Sequence, residues 1–299
     1  MSGRLFSRIG VCLVLLVALV GIQACSNDDP VSATQEESPE LPAMSTMTMD
    51  LSFFEQAQVD QMSIEEGTPT QMMLAAAAGK DNFINAAVRV FYLQLTFWAA
   101  LEAPVSAFAV ALHSVPQHQS DGSWLWTYIF VEGDIEYGIF LYGIDAGDRT
   151  QWRMEVSTNN PSMPLDHFVW FAGEAMKDDT SGHWQFFEPI IAMSNFANAS
   201  VTVETPGVQS IRIDWLNAPG DVHQLTVLNN KPGSEEEGDN VVAFESPLMS
   251  YIEFTDVSVP EVHNITWYAD GSGSIHVPDY NNGEKACWDT NQNDIACPL

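Results

Sequence analysis

The residues with the most chemical potential in this 299-residue chain lie near its end and at a few isolated histidines and carboxylates. Asp289-Thr290-Asn291-Gln292-Asn293-Asp294 places oxygen-bearing side chains at alternate positions, as at the start of a calcium-binding loop, with Asp289, Asn291 and Asn293 as ligands. The sixth position, however, is Asp294 rather than glycine, and the chain stops before a bidentate glutamate. A polar turn clasped between Cys287 and Cys297 accounts for the same residues, so neither a metal nor any other cofactor is expected. None of the seven histidines has the H-E-x-x-H spacing of a zinc site. His113 and His118 are five apart at the end of a helical stretch, whereas His167, His183, His223 and His276 fall in strand-like segments. The sequence carries no G-x-S-x-G elbow and no phosphate-binding loop. Among so many acids, carboxylate pairs arise by composition alone, so a hydrolase is the alternative reading; its candidates are Asp166, His167 and Glu174.

Four cysteines divide by position. Cys12 lies inside an apolar run from Ile9 to Ile22, preceded by Arg4 and Arg8 and by no acid. The run is shorter than the roughly 20 residues of a bilayer span and reads as the core of an export signal. It ends at Ile22-Gln23-Ala24-Cys25. These residues resemble the lipobox of bacterial lipoproteins, with an aliphatic residue three before the cysteine and a small one just before it. The resemblance implies cleavage after residue 24, diacylglycerol on the Cys25 thiol and a fatty acyl group, such as palmitate, on its amine. The partner so implied is a membrane, reached through lipid. Gln23 departs from the pattern. Ser26 lacks the aspartate that retains lipoproteins at inner membranes, which favours the outer membrane. Ser26-Asn27-Asp28-Asp29 is similar to the acidic export signals of surface lipoproteins, although a solvated acidic tether explains it equally well. Periplasmic and surface orientations both stay open. In an oxidising envelope, Cys287 and Cys297 should pair.

All 40 acidic residues lie beyond residue 24, while Arg4 and Arg8 precede it, so the mature charge is 8 − 40 = −32. Such a charge repels nucleic acid and anionic lipid faces and suits an exterior bathed in salt. Residues 25–66 are expected to be the lipidated cysteine and a mostly disordered acidic tether, rich in Ser, Thr, Pro and Glu. Ser52-Phe53-Phe54-Glu55 has capping-box spacing for a short helix to about Met62.

Residues 67–299 are expected to form one α+β domain. Its helical part, 67–113, comprises a stretch from Gln71 to Ala78 and a long helix from about Asn82 to His113, with Asp81 as N-cap and Pro104 kinking or restarting it. Apolar residues occur on nearly every face of that helix, which predicts burial. From Ser123 the period changes to two, and about a dozen short segments alternate between turn signals such as Glu132-Gly133 and Pro219-Gly220. Tryptophans recur at hairpin spacing (Trp124, Trp152, Trp184, Trp215), as aromatic cores between glycine turns require. The expected fold is an antiparallel β-meander curled as a barrel or half-barrel around the apolar helix. The arrangement is similar to periplasmic lipoprotein carriers in architecture only, so no residue roles carry over. The function expected is that of a non-catalytic envelope lipoprotein, binding a hydrophobic ligand or acting as a surface interaction module toward an envelope protein.

Overall fold

The alternating segments beyond Trp124 form strands, each hydrogen-bonded to the next in sequence. The computed structural model describes residues 37–54, 79–94, 97, 101–111, 113–194, 200–259 and 261–298, with backbone only at 190–206. The fold belongs to one compact unit, Ser38–Leu299. Its strands are β1 (Gln117–His118), β2 (Trp124–Glu132), β3 (Ile135–Asp145), β4 (Arg149–Thr158), β5 (Leu165–Met176), β6 (Ser181–Ser194) and β7 (Ser200–Ala218). They continue as β8 (Val222–Asn229), β9 (Asn240–Glu245), β10 (Met249–Asp256), β11 (Glu261–Tyr268), β12 (Gly273–His276), β13 (Ala286–Trp288) and β14 (Asp294–Ile295). All 14 belong to a single antiparallel sheet in strict chain order. The tight reversals rely on glycine where φ must be positive, as at Gly133 (φ 62°) and Gly220 (φ 88°).

One face of the sheet is apolar. A transverse row on it reads Trp124, Gly143, Trp152, Gly173, Trp184 across β2 to β6. Here the largest and smallest side chains alternate, so an indole ring lies where the neighbouring residue has no Cβ. A Cβ built on Gly143 would sit 2.8 Å from the Trp152 ring, and one on Gly173 2.6 Å from Trp184. Gly182 opposite Trp215 and Gly273 opposite Trp288 repeat the device elsewhere on the same face. The tryptophan spacing noted in the sequence thus has a cause beyond hairpin length. A row that takes a tryptophan from every second strand needs a glycine on the strands between.

The cover of this face is built from three segments. Helix α1 (Asp81–Leu93) buries Phe83, Ala86, Ala87, Val90 and Leu93, a 3.6-residue stripe. Phe83 packs edge-on to Trp288, with ring centroids 5.7 Å apart. Helix α2 (Glu102–Ala111) inserts Phe108 between Phe171 and Trp184, both at 6.0 Å. Residues 38–54 form a strap with Met47, Leu51 and Phe54 buried. The strap is pinned by polar bonds as well. The Trp184 indole donates to the Thr46 hydroxyl (3.2 Å), the Asp50 amide donates to Glu245 (2.9 Å), and His223 Nε2 lies 2.8 Å from the Ser45 carbonyl.

Several expectations need correction. The sheet is not closed: it runs linearly from β1 to β14, and these two edge strands have two residues each, too short to carry a closing ladder. A single helix, apolar all round, is not what the described residues show. α1, to Leu93, leaves Phe91 and Tyr92 exposed, Gln94 and Phe97 have π-helical backbone, and α-helix is present again from Glu102, about where Pro104 was expected to kink or restart it. Pro104 sits in the first turn of α2, where its missing N–H would have had no partner. The capping atoms of α1 also differ from expectation. The Asp294 carboxylate accepts from the amides of Asp81 and Asn82 (3.1 and 2.9 Å) across 213 and 212 residues of sequence. The body begins near Ser38, before the tether end assigned from composition, because isolated apolar residues in that polar stretch reach the tryptophans of the sheet. Val201–Glu204 and Ile211–Trp215, read as separate strands, belong to the single strand β7. The signal segment, Cys25, the stretch from Gln71 to Ala78 and the helix beyond Phe54 lie outside the described residues. Among the described residues no helix is long and apolar enough to cross a membrane.

Candidate ligand-binding face

The opposite face of the sheet carries the polar alternates of β3 to β7. Two neighbouring transverse rows dominate it. One runs Tyr142, Arg153, Ala172, Gln185, Arg212; the other runs Ile144, Gln151, Glu174, His183, Asp214. Ala172 is the short member, and the space above it is a groove of about 360 Å³, a size within the range of small-molecule sites. Asp121 and Ser123 close one end.

Arginine is concentrated here. Of the four arginines beyond residue 24, Arg149, Arg153 and Arg212 lie on β4 and β7 at this face. Each is matched within the protein. Arg149 Nη1 donates to Glu174 (3.0 Å) and its Nε to Asp148 (2.9 Å). Arg153 Nε lies 3.0 Å from Glu155 as an ion pair, and its guanidinium lies 4.9 Å from the Tyr142 ring centroid. Arg212 forms two bonds to Asp214 (2.6 and 2.8 Å). The Arg149 hydrogen bond holds the Glu174 carboxyl below its ordinary value. Burial, then the charge of Arg212, pushes His183 below the usual imidazole value, so it is predominantly neutral near pH 7. Burial, then the Glu155 charge, raises the Tyr142 phenol and keeps it a hydroxyl.

Beside the groove, Glu155 is largely buried and holds two partners, Arg153 on one oxygen and His167 Nδ1 on the other at 2.9 Å. His167 adopts φ 48°, next to a break in the β4–β5 register, and its ring lies 4.7 Å from that of Phe140. The left-handed backbone and the buried carboxylate together fix the imidazole outward.

Of the residues singled out from the sequence, His167 and Glu174 lie on this face, but neither pairs with Asp166, which is exposed. The carboxylate partner of His167 is Glu155, and Glu174 belongs with Arg149. Arg153, Gln185, Arg212 and Tyr142 were missed; the i, i+2 pairs Arg153/Glu155 and Arg212/Asp214 were the available signal. Cys287 and Cys297 form a disulfide with Cα atoms 5.2 Å apart. Within its loop, Asp289 Oδ1 accepts the amides of Asn291 and Asn293 (2.8 and 2.9 Å), and Oδ2 accepts the Asn293 side chain (3.3 Å). These bonds give the Asp289 carboxylate a turn-forming role, and Asp294 caps α1 instead of facing it. Among the described residues no three His, Cys, Asp or Glu side chains gather as metal ligands. His223 and His276 contact other parts of the chain, the first through Asn217 and the Ser45 carbonyl and the second through the Gly283 carbonyl at 3.1 Å.

No family model, curated protein or solved structure matches this chain.

Proposed function

We propose that the chain is an envelope lipoprotein, held to the outer membrane by lipid on Cys25, whose body is a non-catalytic interaction module binding through the polar face of its sheet. The observation that carries this reading is the groove over Ala172, where Arg153 meets planar polar side chains on a sheet face that also carries Arg149 and Arg212. In a chain so poor in cations, a coherent array of them on one solvent-facing surface marks a binding surface. The other form of a binding role, a hydrophobic ligand held against the apolar face, has less support. The described side chains there already touch the strap and helices, as Phe108 does Phe171 and Trp184. The lipobox-like residues ending at Cys25 support the anchor. Its test is Cys25→Ser. The variant should move from membrane to soluble fractions, and mass spectrometry should find diacylglycerol on wild-type Cys25 alone. A wild-type N-terminus without lipid would overturn the anchor.

A second reading, a hydrolase using acidic residues, is favoured by the oriented Glu155–His167 pair. Against it, Glu174 is held ionised by Arg149 and is poorly suited to act as an acid. Hydrolysis of nitrophenyl glycosides or esters that Glu155→Gln abolishes would establish this reading over the first.

A further inference from the structure

We propose that the groove over Ala172 binds a neutral, polyhydroxylated ligand, a saccharide; this rests on the binding-module reading above. Charge decides first. Among the groove's lining residues, Arg153 lies 3.0 Å from Glu155, the Glu174 carboxylate accepts from Arg149 at 3.0 Å, and the Asp121 carboxylate accepts from the Ser123 amide and hydroxyl. An anionic ligand would have to displace these carboxylates while approaching a strongly acidic body. A cationic ligand would meet the Arg153 guanidinium and would have to draw Glu174 away from Arg149. A neutral ligand meets neither penalty and leaves each pair intact.

Hydrogen-bonding capacity decides next. Neighbouring hydroxyls on a sugar ring both donate and accept, and planar side chains engage two of them at once. Gln185 and Gln151 offer amides of that kind, and neutral His183 offers one donor and one acceptor. Arg153 is paired with Glu155 through Nε, 3.0 Å away, and its terminal nitrogens can meet an outside acceptor. The paired carboxylates keep free lone pairs for hydroxyl donors. The Arg153–Tyr142 stack holds both groups in place before the ligand arrives, so little ordering entropy is lost on binding. Ile144, an exposed apolar side chain at the wall, suits the C–H face of a sugar ring. The groove is open to water, so each site should bind weakly and gain strength from repeated ligands.

The test uses the full lipidated protein in a detergent without a sugar headgroup. Immobilised neutral glucan, mannan and galactan oligomers are presented beside oligogalacturonate (anionic) and chitosan oligomers (cationic). We expect saturable binding to a neutral oligomer, nearly constant from low to molar salt because no counter-ions are released. Ala172→Trp, which fills the groove without removing a charge, should weaken binding at least about tenfold, the factor that 1.4 kcal/mol represents. Gln185→Ala should weaken it with an unchanged melting temperature, so that a misfolded Ala172→Trp would not decide the matter. Neutral binding indifferent to both substitutions would overturn the assignment, as would binding of no neutral oligomer. A charged oligomer whose binding Gln185→Ala weakens would overturn the neutral class while leaving the binding-module reading in place. Hydrolysis of any oligomer, lost in Glu155→Gln, would overturn both.

Discussion

Gly173→Ala tests the alternating row of tryptophan and glycine. In an ordinary strand this change is mildly favourable, by about 0.5–1 kcal/mol, because alanine loses less backbone entropy on folding. At position 173 the new methyl would lie 2.6 Å from the Trp184 ring and would also press on the His183 carbonyl. Trp184 cannot retreat: it is fully buried, its indole N–H bonds Thr46, and Phe108 and Phe171 pack against it. Overpacking of this kind costs about 1–3 kcal/mol, which outweighs the backbone gain. A net loss near 1–2 kcal/mol lowers the melting temperature by roughly 2–8 °C at the 2–4 °C per kcal/mol typical of a body this size. Differential scanning calorimetry of the full chain supplies the readout. Gly138→Ala on the opposite face serves as control, since its methyl would meet only the Phe140 ring, at 3.2 Å. Introducing Trp184→Leu should shrink the cost of Gly173→Ala, because the two sites act on one contact. A Gly173→Ala protein as stable as wild type would refute the interlock.

The C-terminal hook gives two further expectations. Asp294→Ala removes the carboxylate that caps α1 and should cost about 1 kcal/mol in denaturant unfolding. Cys297→Ser, or reduction, opens a loop with a sequence separation of 10 and should cost about 3 kcal/mol. The double variant should lose less than the sum, since the disulfide and Asp294 hold the same hook. Glu245 supplies a pH test. Burial raises its carboxyl above the ordinary value, opposed by the Asp50 amide and the charge of His223. Folding therefore favours the protonated form, and that contribution is complete below the ordinary carboxylate range and lost as pH rises through the raised value. Glu245→Gln keeps an acceptor for Asp50, so it should be more stable than wild type at neutral pH and indistinguishable from it at about pH 4.

The strands were legible in the sequence because burial of one face imposes a period of two, and each alternating segment beyond Trp124 coincides with part of a strand to within one residue at its end. β7 was split in the reading into Val201–Glu204 and Ile211–Trp215, on either side of Pro206-Gly207. In the structure those residues, with Pro189 of β6, fall in a gap between the paired positions Glu188/Val208 and Ile190/Glu204. A missing proline N–H costs no ladder bond in such a gap. Sheet closure and the Trp–Gly row depend on register, which one sequence does not display. The site divides along the same line. Arg153/Glu155 and Arg212/Asp214 are two apart on one strand, and their shared face follows from alternation alone. Glu155/His167, beside a register shift, and Arg149/Glu174, in the regular ladder, both join β4 to β5 and needed three dimensions. The Asp289 loop has the composition of a metal site, yet its carboxylate accepts the backbone amides of its own turn.

The account's central claim is that the polar face of β3 to β7 is the surface through which the protein meets its partner. Hydroxyl-radical footprinting of the protein in native envelopes, compared with the same protein purified, tests it most directly. The account predicts reduced labelling of Tyr142 and His183 in envelopes, with Tyr137 and Tyr268 labelled alike in both. Equal labelling at Tyr142 and His183, with protection at Tyr137 or Tyr268 instead, would contradict it.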